Sequence, residues 1–173
     1  MKILSINVIV IIFIFWPSHL LAKSDYTKWG DYNQFTVPVL SLGLSWYKKD
    51  YKSLELLAKS YITTQGITHF TKKIVNAKRP NGGNHSFPSG HTASAFTGVN
   101  FLYKHYGPTY ALPALLIASS VGHSRIKGKY HTLFDVVCGA LLSIGIDEFY
   151  YRKMELKPIR VGGAPGIQLN LSY

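Results

Sequence analysis

The sequence predicts an all-α fold: a helical bundle of about five helices after an N-terminal signal or anchor, closed by a short β-like tail. Three observations predict it. Five apolar segments recur between short polar breaks, and the breaks carry helix-stop residues such as Gly107-Pro108. One of those segments, 53–75, is amphipathic at helical spacing. Period-two alternation is confined to the last residues of the chain. At 173 residues there is room for one core. The expected division is 1–22 signal peptide or anchor, 23–157 helical domain and 158–173 extended tail.

In chain order, Lys2 precedes an apolar stretch from Ile3 to Trp16, and Leu20-Leu21-Ala22 ends in a small residue. This pattern reads as a secretory signal cleaved after Ala22, with an uncleaved anchor as its rival. Residues 23–34 are polar and aromatic without sustained periodicity, and read as a surface arm. The first helix spans 35–47, with Pro38 near its start where proline is tolerated. After the basic turn 48–52, the second spans 53–75, with Leu54, Leu56, Leu57, Tyr61, Ile67 and Phe70 as its apolar set and Gly66 as a weak point. A Gly-, Asn- and Pro-rich loop occupies 76–89. Helices over about 90–105, 109–121 and 130–152 follow. In the tail, Ile159, Val161, Ile167, Leu169, Leu171 and Tyr173 alternate around the 162–166 turn, predicting a small hairpin.

Nineteen Lys and Arg against eight Asp and Glu give a formal net charge of +11, which attracts anions: nucleic acid, anionic head groups or phosphorylated substrates. An exported chain does not meet nucleic acid, so that partner is excluded. The lone Cys138 sits in an apolar run, permits no internal disulfide and has no zinc-type Cys/His spacing around it. Mean hydropathy is only +0.08, and the second helix with the turn that enters it carries Lys52, Glu55 and Lys59. Only 106–124 approaches a membrane span, yet the breaks 48–52, 104–105 and 152–160 are basic, as cytoplasmic loops would be. The balance favours an exported helical domain resting on an anionic membrane surface. The sequence does not decide an oligomeric state.

Three clusters carry chemistry. In Ser124-Arg125-x5-His131-x3-Asp135, a helix starting near His131 puts Asp135 one turn later on the same face. A carboxylate there can hold one ring nitrogen as N–H and leave the other lone pair free, giving a basic or nucleophilic imidazole. An ordinary helix-surface pair has the same spacing. In Pro88-Ser89-Gly90-His91, Ser89 can cap a helix, Gly90 allows close approach to the backbone and His91 points at the same space. Lys72, Arg79 and Arg125 are cations suited to phosphate, which a guanidinium binds with two hydrogen bonds. At about 5% per residue type, the four identities of the last cluster alone arise by chance in roughly one such chain in a thousand.

In order and spacing these clusters resemble the three signature motifs of the type-2 phosphatidic acid phosphatase superfamily, which includes lipid phosphatases, class A acid phosphatases and vanadium haloperoxidases. The resemblance covers about 63–144. The stretch from Arg79 to Asn84, leading into Pro88-Ser89-Gly90-His91, is further similar to small bacterial lipid A phosphatases. The resemblance implies that His131, oriented by Asp135, attacks phosphorus, and that His91 protonates the leaving oxygen. Lys72, Arg79, Arg125, Ser89 and the Gly90 N–H would hold the phosphoryl oxygens. It implies no metal and no cofactor. The expected activity is metal-independent hydrolysis of a phosphomonoester or pyrophosphate, on the periplasmic side of the inner membrane. Lipid A, undecaprenyl diphosphate, phosphatidylglycerol phosphate and phosphatidic acid all fit as substrates. A soluble acid phosphatase is the alternative. A vanadate-dependent haloperoxidase is a remote one, and a non-catalytic polyanion binder would not need the His131/Asp135 spacing.

Overall fold

The computed structural model describes residues 23–161 and 164–169. The expected signal or anchor, and the tail residues Leu171 and Tyr173, lie outside the described residues. The chain is an all-α bundle of α1 (Lys23–Asn33), α2 (Thr36–Tyr47), α3 (Tyr51–Val75), α4 (Gly90–Phe96), α5 (Val99–Tyr106), α6 (Pro108–Lys127) and α7 (Leu133–Glu155). A two-stranded antiparallel hairpin follows, β1 (Leu156–Val161) paired with β2 (Ala164–Leu169), as the alternating tail predicts.

Local chemistry sets the helix ends. Asp50 caps α3 by accepting the Ser53 N–H at 3.1 Å, and Asn76 closes it in the left-handed conformation. Gly66 does not interrupt this helix. Pro108 sits in the first turn of α6, where no intrahelical N–H is required.

Two expectations about the helices' extents change. Residues 23–34 are not a surface arm, because 23–33 form α1, which packs on α6. Tyr26 is buried with its hydroxyl 2.9 Å from His123 Nδ1, and a Cβ on Gly30 would collide with Ser124 and Arg125. The helix expected over 90–105 is two helices, broken at Thr97-Gly98. Gly98 has φ +100°, and a Cβ there would lie 2.8 Å from Ser41 Oγ of α2. The Asp147 carboxylate of α7 accepts the Gly98 N–H at 3.2 Å and the Ser60 hydroxyl of α3, which fastens the break to both long helices. Burial nonetheless pushes the Asp147 carboxyl up to about 6.

The interior is small and polar where the long helices meet. An apolar cluster around Val37, Leu57, Phe101, Leu102 and Val121 fills one part of the bundle. Elsewhere the inward face of α3 is Ser60, Thr64 and Thr68, and that of α7 is Asp135, Gly139, Ser143 and Asp147, one residue per turn. Ile67 and Phe70, expected on the apolar face of the second helix, are exposed instead. Close helix contacts depend on absent side chains: a Cβ on Gly122 would lie 2.8 Å from Val136, and one on Gly139 2.6 Å from the Ser89 carbonyl oxygen. Among the described residues no helix is long and apolar enough to cross a membrane.

Candidate active site

The start of α7 builds the first part of the site. Asp135 accepts the Thr132 N–H at 2.8 Å, while the Thr132 hydroxyl accepts the Asp135 N–H at 3.2 Å, a reciprocal cap that holds the carboxylate against the residue that follows His131. Asp135 Oδ2 stands 3.8 Å from His131 Nδ1, beyond hydrogen-bond length. Ser86 lies between them: its hydroxyl donates to Asp135 at 2.6 Å, and its oxygen is 3.4 Å from His131 Nδ1. The orientation expected from direct contact with Asp135 therefore runs through Ser86, because the carboxylate is already occupied in capping the helix. The chain of donors is satisfied when Nδ1 carries the ring proton, which leaves the Nε2 lone pair free.

The cations converge from three elements. Lys72, in the last turn of α3, donates to the carbonyls of His85 (2.9 Å) and Ser86 (3.2 Å). Arg79 is held by the loop it sits in, with its N–H to the Gly83 carbonyl (2.6 Å) and its Nε to the Asn84 carbonyl (3.0 Å). Arg125, near the end of α6, is buried and donates to the Thr27 carbonyl, to Ser124 Oγ (3.0 Å) and to Asp31 Oδ1 (2.5 Å). Both guanidiniums lie against the Tyr130 ring, at 6.0 and 5.5 Å from its centre.

Ser89 and His91 come from the start of α4. The Ser89 N–H donates to the Asp135 carbonyl at 2.9 Å, which ties this turn to the start of α7. The Ser89 hydroxyl is fully buried and caps α4 through Thr92, so in this state it serves the helix. Gly90 packs against the Lys72 stem, where a Cβ would be 3.6 Å from Cε. His91 Nε2 is 2.9 Å from Asp31 Oδ1.

Electrostatics separates the two imidazoles. Burial, helped by the charges of Lys72 and Arg79, depresses His131 to about 3 against the opposing pull of Asp135, so it is neutral at any ordinary pH. His91 is lowered from 6.5 by burial and Arg125, while Asp31 holds it up. Burial and Arg79 lower Lys72 to about 8. The structure thus brings Lys72, Arg79, Ser89, Gly90, His91, Arg125, His131 and Asp135 to one place. Three partners escaped the sequence reading: Ser86, Tyr130 and Asp31. Tyr130 had a signal, an aromatic beside His131 in the cluster that holds Arg125. Ser86 and Asp31 had none.

The PAP2 superfamily profile matches residues 61–158. Over 128 residues the chain is 30% identical to the lipid A 4'-phosphatase of Helicobacter pylori, which covers 67% of this chain and 64% of that one. Over 90 residues it is 37% identical to a lipid A 1-phosphatase of Porphyromonas gingivalis, covering 50% and 20% respectively. The chain therefore spans less than two thirds of the length of either relative. The fold is similar to the crystal structure of Aquifex aeolicus LpxE, with TM-score 0.66 and 22% identity, covering 81% of this chain and 91% of that one. With the profile match extending over more than half the chain and over every motif residue named above, the chain belongs to the PAP2 superfamily.

Proposed function

We propose that the protein hydrolyses the phosphate ester of a membrane lipid through a phosphohistidine at His131. The observation that carries this reading is a buried imidazole, oriented through Ser86 by Asp135 and kept neutral by burial and then by Lys72 and Arg79, the same cations that suit a phosphoryl group. In the first step the Nε2 lone pair of His131 bonds to phosphorus, the bond from phosphorus to the leaving oxygen breaks, and protonated His91 gives its proton to that oxygen. In the second, neutral His91 takes a proton from water as its oxygen bonds to phosphorus. The P–N bond then breaks and inorganic phosphate leaves. Lys72, Arg79 and Arg125 neutralise the non-bridging oxygens throughout, the charge role that metal ions take in other phosphatases.

The lipid assignment rests on what surrounds the site. Leu133 (65% exposed) and Phe134 (67%) follow His131 at the start of α7. Large apolar side chains displayed beside a cationic pocket suit a substrate whose phosphate lies at the boundary of an apolar layer. The two relatives carry lipid A phosphatase names for different phosphate positions, so lipid A is the first substrate to test, at both positions. Membrane lipid on the periplasmic side is the setting this reading gives the enzyme.

Phosphate release from lipid A, phosphatidic acid, undecaprenyl diphosphate, phosphatidylglycerol phosphate and p-nitrophenyl phosphate, in detergent with and without EDTA, tests the proposal. Turnover of a lipid phosphate undiminished by EDTA and inhibited by vanadate is expected, since a vanadate adduct on His131 resembles the transition state. Loss in EDTA with recovery on adding a divalent metal would overturn the metal-free mechanism. Preference for the soluble ester over every lipid would overturn the substrate class.

The pH profile should carry two alkaline breaks, because the free enzyme works with His91 protonated and Lys72 charged. As pH rises, kcat/KM, corrected for the substrate's own second ionisation near ~6, is expected to fall first through the His91 pKa, below 6.5. A further fall is expected as Lys72 loses its proton around about 8. Lys72→Arg, which stays charged, should remove the second break and keep the first. A single break unaltered by that change would refute the Lys72 assignment. His131 contributes no limb above about 3.

A further inference from the structure

We infer that Asp31 of α1 is the positioning residue for the leaving-group acid, one carboxylate oxygen holding His91 and Arg125 together in their working places. The inference rests on the proposed roles of His91 and His131. Asp31 Oδ1 is 2.9 Å from His91 Nε2 and 2.5 Å from Arg125 Nη1, so a single atom links the start of α4 to the end of α6. The site is shaped to receive α1. Gly30 leaves the room that the Arg125 guanidinium occupies, since a Cβ there would be 2.6 Å from Nη2, and the Thr27 carbonyl one turn from Asp31 accepts the same group. Neither Asp31 nor any other residue of α1 lies within the 61–158 stretch matched to the superfamily, so the motifs assign it nothing.

The charged and titratable groups facing His91 are Arg125 from α6, Lys72 from α3, His131 ahead of α7 and Asp31 from α1. Arg125, Lys72 and burial all disfavour the imidazolium, and Asp31 is the group that favours it. With Nε2–H directed to Asp31, the imidazolium has its Nδ1 proton left to give. Without Asp31 the acid would be short of its proton and free to turn. An ester whose leaving group departs as a stable anion would hardly register the loss.

Asp31→Asn, Asp31→Glu, His131→Ala and wild type are compared on an alkyl phosphate and on 2,4-dinitrophenyl phosphate, full chain in detergent. The asparagine variant is expected to lose about ten- to a hundredfold in kcat/KM on the alkyl ester, part of the ~10²–10⁴-fold range of general acids. On the dinitrophenyl ester it should lose less than about threefold, and its first alkaline break should move to lower pH. Asp31→Glu should recover most of the alkyl-ester rate. The ratio of the two rates in one sample does not depend on how much protein is folded, so a poorly folding variant still answers. Equal losses on both esters, or an unmoved break, would reduce Asp31 to a structural residue and overturn the inference. A lower KM on both would do the same, marking Asp31 as a competitor for the phosphate site. Activity in His131→Ala would instead overturn the phosphohistidine reading itself.

Discussion

His131→Ala is expected to lower turnover by about 10⁴-fold or more, the scale seen when a covalent nucleophile is removed. Nothing else in the site can replace it. His91 is engaged by Asp31, the Ser89 hydroxyl is buried against Thr92, and Lys72 stays protonated up to about 8 while donating to two carbonyls. The fold should tolerate the change, because the contact His131 gives up is a long one, 3.4 Å to Ser86, and Ser86 keeps its 2.6 Å bond to Asp135. A loss of about 1 kcal/mol, or roughly 2–4 °C in melting temperature, is the most expected for a chain of this size. Initial rates, a thermal melt and the disappearance of alkali-stable label from ³²P-substrate measure the three quantities. A well-folded variant retaining more than about 1% of the rate, against the expected loss of about 10⁴, would remove His131 from the mechanism.

The parts of this site that the sequence exposed are those fixed by short-range helix geometry. His131 and Asp135 are spaced one turn apart, and Thr132 with Asp135 forms a cap whose residue types announce a helix start. Lys72 continues the Thr64–Thr68 face of α3 at four-residue intervals, which is why it reaches the site. That same face explains the misplaced apolar set. Once Thr64, Thr68 and Lys72 turn inward, Ile67, Phe70 and Ile74 must lie on the other side of the helix. Reading apolar as inward assumes water outside, and the proposed lipid setting removes that assumption. α1 was invisible for a different reason. Its anchors are a tyrosine hydroxyl on His123, the bare Cα of Gly30 and the Asp31 carboxylate, none of which produces hydrophobic periodicity. Ser86 stands alone in an irregular loop whose course is set by bonds such as Ser86 N–H to the Ala77 carbonyl (2.9 Å) and Arg79 N–H to Gly83. No local pattern distinguishes it from the other polar residues of 76–89.

Gly139→Ala should damage the enzyme although the methyl group is added outside the reacting residues. The new Cβ would stand 2.6 Å from the Ser89 carbonyl oxygen and 3.4 Å from the Ala93 nitrogen, both backbone atoms that cannot rotate away. The first turn of α4 would have to move off α7, and that turn carries His91, while His131 is set by the start of α7. The bond from the Ser89 N–H to the Asp135 carbonyl, 2.9 Å, pulls the same two segments together, so the displacement is concentrated between acid and nucleophile. A misplacement of about 1 Å can cost about 10²-fold in rate, and overpacking costs about 1–3 kcal/mol of stability. Gly139→Ala is therefore expected to lose about a hundredfold in kcat and to melt measurably earlier. Gly145→Ala is the matched control on the same helix, since a Cβ there meets nothing within 4 Å. It should keep wild-type activity and gain up to about 1 kcal/mol from helix propensity. Wild-type kcat together with an unchanged melting temperature in Gly139→Ala would show that α4 and α7 are not held in the register on which the His91–His131 pairing depends.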